Sequence, residues 1–121
     1  MMDQPSILEL VEAVKNFLET RAMPELQGHT AFHARVAANA LGIVAREIES
    51  GPGAAAGEKA RLAALLGSDG TLDELNRILS THIREGLIGL DTPGLAEHLE
   101  KTTREKVAID QPNYSGLKEG R

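Results

Sequence analysis

The chain has 121 residues, a formal net charge of −5 and no cysteine, which fits one domain able to bury a core without disulfides or thiolate metal sites. Its acidic balance argues against broad nucleic-acid binding, which depends on basic residues neutralising phosphates. Aromatic residues are confined to Phe17, Phe32 and Tyr114, too few for base-stacking platforms or an aromatic-lined pocket. The opening MMDQPSILEL has no basic region followed by a long apolar run, so neither a secretory signal nor a membrane span is expected, and the cytoplasm is the expected compartment.

Ser6 followed by Glu9 forms a capping-box pattern, with Pro5 just ahead of it, before ILELVEAVKNFLETR. Ile7, Leu10, Val11, Val14, Phe17 and Leu18 then fall within about 120° of arc, an amphipathic stripe that predicts the first helix. Met23-Pro24 interrupts it, because a residue before proline avoids the helical region. Thr30 can cap a second helix through Ser50. This stretch carries Val36, Ile43 and Phe32 on one face and Ala37, Val44, Ile48 and Leu41 on nearly the opposite one, so it is expected to be the enclosed centre of the molecule.

Gly51-Pro52-Gly53 is expected to close that helix, and an alanine-rich run leads into a third one with Leu62, Leu65 and Leu66, a weak stripe. Thr71 with Glu74 repeats the capping-box pattern ahead of LDELNRILSTHIREG, which predicts a fourth helix. Thr92-Pro93 opens a fifth through about Ile109, and Gln111-Pro112 ends it. Residues 115–121 are expected to form a disordered tail. The fold class is therefore all-α: a single-domain bundle of about five helices, over residues 1–121, around a central buried helix at residues 30–50.

Among polar residues, Asn39 lies between Arg35, Gly42 and Arg46 on the central helix, and His82 lies among Leu75, Ile78, Leu79 and Ile83 on the fourth. Arg35, Asn39, Arg46 and His82 are the candidate ligand-binding residues, suited to a phosphate or carboxylate. Pairing with one another, with carbonyls or with neighbouring acids such as Glu47, Glu49 and Glu74 is the commoner reading of such groups. His29 and His33, four residues apart, are weak metal candidates: His29 precedes the expected cap, and no HExxH pattern accompanies them. No metal or other cofactor is therefore expected. Asp69-Gly70 reads as a turn, having neither a phosphate-loop nor a calcium-loop pattern, and no serine sits in a nucleophile elbow.

Taken together, AFHARVAANAL, REIESGP, EKARLAALLGSDGTLDELN and VAIDQPNYS resemble a family of small bacterial all-helical proteins, a domain of unknown function. Its genes recur beside aminoglycoside-phosphotransferase-like kinases and acyl-CoA dehydrogenases. The ending Asp110-Gln111-Pro112-Asn113-Tyr114 looks like a variant of that family's Asp-Asn-Pro ending, with glutamine in place of the asparagine. The resemblance transfers no catalytic residue. It implies an accessory role near acyl-CoA or small-molecule phosphorylation chemistry, with a phosphotransferase-like kinase or an acyl-CoA dehydrogenase as partner, or a second copy of the chain.

Three functions stay open on the sequence. The first is a non-catalytic interaction module acting with such an enzyme, for which Leu87, Ile88 and Leu90 could supply a docking surface or else close the core. The second is a small-ligand protein for phosphorylated or acyl-CoA-type compounds, and the third an enzyme with His33 or His82 as general base.

Overall fold

A computed structural model of the chain describes residues 3–118. Among these there are five α-helices and no strand: α1 (Ile7–Phe17), α2 (Gly28–Leu66), α3 (Leu72–Arg84), α4 (Leu95–Asp110) and the short α5 (Ser115–Lys118). The all-α class is as the periodicity predicts. The remainder of the expected tail, residues 119–121, lies outside the described residues. Contacts divide the chain into two compact units, one ending at Gly51 and the other starting at Pro52, and α2 contributes to both.

Both capping boxes form. Ser6 Oγ accepts from the Glu9 amide at 3.1 Å while the Ser6 amide donates to Glu9 Oε1 at 2.8 Å. Thr71 and Glu74 repeat this reciprocal pair at the same distances. Each box satisfies amides that a helix start leaves without partners. The bonds hold the Glu9 and Glu74 carboxyls below their ordinary value of 4.5, because only the ionised form accepts fully. Thr71→Ala removes one such acceptor and is expected to lower stability by about 1 kcal/mol, measurable by urea unfolding.

In the first unit α1 passes into a π-helical turn, Leu18–Ala22, and then a 3-10 turn, Met23–Glu25, with Pro24 in its first turn. The proline is accommodated where its missing N–H has no helical acceptor to lose. α1 buries no residue completely. Its packed side is Leu8, Val11, Lys15 and Leu18, all half-buried, so that Ile7, Leu10, Val14 and Phe17 remain outside. The apolar stripe is thus used along one edge alone.

The expectation of an enclosed helix at residues 30–50 is corrected by the packing. Only Ala34, Ala38 and Gly42 are buried between Thr30 and Ser50, a small-residue row at spacing of four. A methyl group added at Gly42 would stand 3.2 Å from Lys15 Cε, which shows how closely α1's side chains approach this row. Phe32 and Val36 lie roughly opposite the row at 100° per residue, and Phe32 is 60% exposed. The larger apolar residues of this segment therefore do not build the core.

The helix end predicted at Gly51-Pro52-Gly53 is also corrected, since α2 runs through it to Leu66 with Pro52 inside. Proline's fixed φ is compatible with a helix, and it forfeits one amide donor. Ala54, Ala55 and Ala56, the best helix formers, resume immediately afterwards.

The hydrophobic core lies in the second unit. Leu62, Leu75, Leu79, Ile88 and Leu95 form one buried cluster, with Leu65, Leu66, Leu72 and Ile78 packed against it. The weak stripe of the third predicted helix therefore supplies Leu62 to the core, with Leu65 and Leu66 packed against it. Of the connection after α3, Ile88 turns inward while Leu87 and Leu90 are exposed, Leu90 at 93%. Gly86, at φ +78°, permits the sharp exit from α3 that this requires.

Candidate functional site

The ligand-binding candidates fall in both units. Arg35 and Asn39 are exposed on α2, and Arg46 is half-buried there, in the first unit; His82 is half-buried on α3 in the second. His29 and His33 are exposed in the first turns of α2, with the Phe32 and His33 rings edge-to-face at 5.5 Å. Among the described residues no group of three or more histidines, cysteines and carboxylates could hold a metal ion.

A different set is brought together in the second unit. α4 presents His98, Thr102 and Glu105 at spacings of four and three, which places them on one helical face. Arg61, from the C-terminal part of α2, spans all three. Its Nε donates to His98 Nδ1 at 3.1 Å. One Nη donates to Thr102 Oγ1 at 3.0 Å and lies 3.5 Å from Glu105 Oε1. The planar guanidinium serves three acceptors from two nitrogens held in a fixed fork, a geometry that a lysine's single nitrogen does not reproduce.

His98 is the only buried polar or charged residue among those described, at 3% exposure. Burial lowers its pKa below the ordinary 6.5, the Arg61 charge lowers it further, and Glu58 opposes both. Glu58 is in turn held by Asn76 Nδ2, at 3.1 Å from its Oε2. Because Nδ1 accepts from Arg61, the proton of the neutral ring sits on Nε2. The neutral imidazole is therefore an acceptor at Nδ1 and a donor at Nε2.

His98 also lines a groove of about 410 Å³, together with Arg61, Ala64, Leu65, Pro93, Gly94, Glu97 and Lys101. Its walls are mainly aliphatic, with cationic and anionic groups along the α4 side. A second groove, of about 640 Å³, lies farther along α4 among Glu100, Arg104, Ala108 and Leu117. There an Arg104 Nη donates to the Leu117 carbonyl and ties α5 to α4.

The Arg61–His98 pair was not among the candidates read from sequence. The partners are 37 residues apart, and no local pattern signals such a pair. The signal that was available is the row His98, Thr102, Glu105, a polar stripe along a helix that must also pack.

No curated protein and no solved structure matches the chain. A family described as a domain of unknown function, DUF6285, matches residues 24–114. The match takes in α2, α3 and α4, with the whole Arg61–His98–Thr102–Glu105 cluster, and leaves out α1. With three quarters of its length matched, the chain belongs to the DUF6285 family.

Proposed function

We propose that the protein is a non-catalytic interaction module that acts with a phosphotransferase-like or acyl-CoA-metabolising enzyme. The observation that carries this reading is the number of large apolar side chains left exposed on the two helices of the first unit. Ile7, Leu10, Val14 and Phe17 are exposed along α1, and Phe32 and Val36 along α2, with Phe17 at 57%. A helix with an apolar stripe ordinarily turns it toward a core, and clustered exposed apolar side chains mark contact surfaces. The choice of partner follows the family resemblance and its gene neighbours. Among the described residues no helix is long and apolar enough to cross a membrane, so a bilayer-spanning role for these helices does not compete.

Sedimentation velocity of the purified chain, alone and mixed with a purified enzyme of each class, tests the reading. A faster-moving complex is expected with one of them, and Val14→Asp with Phe17→Asp is expected to abolish it, since a charge at a desolvated contact is strongly unfavourable. No complex with either enzyme, or one unaffected by the two substitutions, would overturn the proposal. Self-association removed by the same changes would assign the surface to a second copy and overturn the enzyme partner.

A further inference from the structure

At Gln111-Pro112 α4 ends and the chain turns back on it. The Gln111 amide still donates to the Val107 carbonyl at 2.6 Å, but Pro112 has no N–H with which to continue the helix. The Tyr114 amide donates to the Gln111 carbonyl at 3.0 Å and the Leu117 amide to that of Tyr114 at 3.1 Å, which winds Ser115–Lys118 into α5. α5 packs on α4 and buries no residue completely. Four residues are too few to hold a helix by their own hydrogen bonds, so its place depends on what α4 offers.

Arg104, half-buried on α4, donates from an Nη to the Leu117 carbonyl. This is a charge-assisted bond to one of the last carbonyls of α5, which have no helical donor. Leu117 is itself half-buried and lines two grooves, of about 640 Å³ and about 350 Å³, both of which also include Glu100 and Arg104. The smaller one carries Leu99 and Val107, about two turns apart on α4. Leu99 lines a third groove as well, of about 700 Å³, with Ile83, Leu87 and Leu90. Leu117 therefore stands where the apolar surface that begins at Leu87 and Leu90 meets the far part of α4.

We propose that α5 is a detachable strap, clasped to α4 through Arg104 and Leu117, that controls how much apolar surface of the second unit is open. In the clasped form Leu117 partitions the two grooves that share it. Release removes the partition, joins them into one cleft along α4, and bares Leu99 and Val107 as a continuation of Ile83, Leu87 and Leu90. A short helix without a fully buried side chain belongs among the segments that open while the rest stays folded. The core cluster of Leu62, Leu75, Leu79, Ile88 and Leu95 contains no residue of α5, so release leaves it intact. The family match ends at residue 114, ahead of α5, so the strap lies on the matched surface without being part of it. This device belongs to the second unit and stands apart from the docking surface of the first.

Hydrogen exchange of the full chain, followed amide by amide with NMR, tests the strap in the native sequence, in Arg104→Met and in Leu117→Asp. In the native sequence the Leu117 amide is expected to be protected. Arg104→Met is expected to speed its exchange about tenfold, the worth of one hydrogen bond to a charged group. Leu117→Asp sets a second carboxylate beside the grooves that Glu100 lines and is expected to release α5 without altering α4. In both variants the Leu79 and Thr102 amides, in α3 and α4, are expected to keep their native rates, while binding of the apolar dye 8-anilinonaphthalene-1-sulfonate rises. An unprotected Leu117 amide in the native sequence, or unchanged exchange in Arg104→Met, would overturn the strap. So would faster exchange at Leu79 and Thr102 in both variants, or no gain in dye binding.

Discussion

Leu62→Ala is expected to lower the unfolding free energy by about 3 kcal/mol, inside the range of 2–5 kcal/mol for truncating a buried leucine. Leu62 is at 0% exposure and joins the cluster of Leu75, Leu79, Ile88 and Leu95, so the removed atoms leave a cavity bounded by three helices of the second unit. A protein of this size is stable by roughly 5–15 kcal/mol in total, which makes that loss a large fraction. Phe32→Ala removes a larger side chain from a position 60% exposed and is expected to cost under about 1 kcal/mol. Urea unfolding of the two variants side by side checks the contrast. The reverse order would mean that residues 30–50, and not Leu62, hold the core.

Arg61→Met is expected to cost about 2 kcal/mol, because it leaves the His98 Nδ1, Thr102 and Glu105 acceptors without their donor in a partly buried site. The pH dependence carries the same cluster's signature. His98 is held neutral in the folded protein by burial and by Arg61, whereas the unfolded chain takes up a proton near the ordinary 6.5. In the interval between the two values the unfolded state binds more protons, so stability rises with pH there. The contribution is complete above about 6.5 and is lost as pH falls from there through the lowered folded value. Protonation also turns Nδ1 into a donor facing the Arg61 Nε–H, so the acid form breaks that hydrogen bond. Chemical unfolding between pH 7.5 and 5.5 should show this decline in the native sequence and a flatter curve in His98→Gln. Equal slopes would place the titration elsewhere.

What the sequence made legible follows from how local each signal is. The Ser6–Glu9 and Thr71–Glu74 boxes are read over three residues, and both form as expected. α3 follows from the period of Leu72, Leu75, Ile78 and Leu79. Gly51-Pro52-Gly53 misleads because stop signals act through the backbone of a few residues, and the flanking helical segments override them. Apolar content misleads at Phe32 and Val36 in the same way. Periodicity identifies a face but not what packs on it, and the small row Ala34, Ala38, Gly42 takes that place. The Arg61–His98 contact joins residues on α2 and α4, so it exists only once the second unit has assembled. Arg35 and Asn39 show the converse, since residues adjacent on a helix need not face a common cavity.

The proposed interaction module requires the exposed apolar residues of α1 and α2 in the first unit to be covered by a partner enzyme. The chain has no tryptophan, so Phe32→Trp places a single reporter among these residues. Emission typical of an indole in water, quenched by iodide, is expected for the isolated chain at low concentration, with a blue shift and loss of quenching once the partner enzyme is added. Emission that is already shielded in the isolated chain and unchanged on dilution would contradict the proposal.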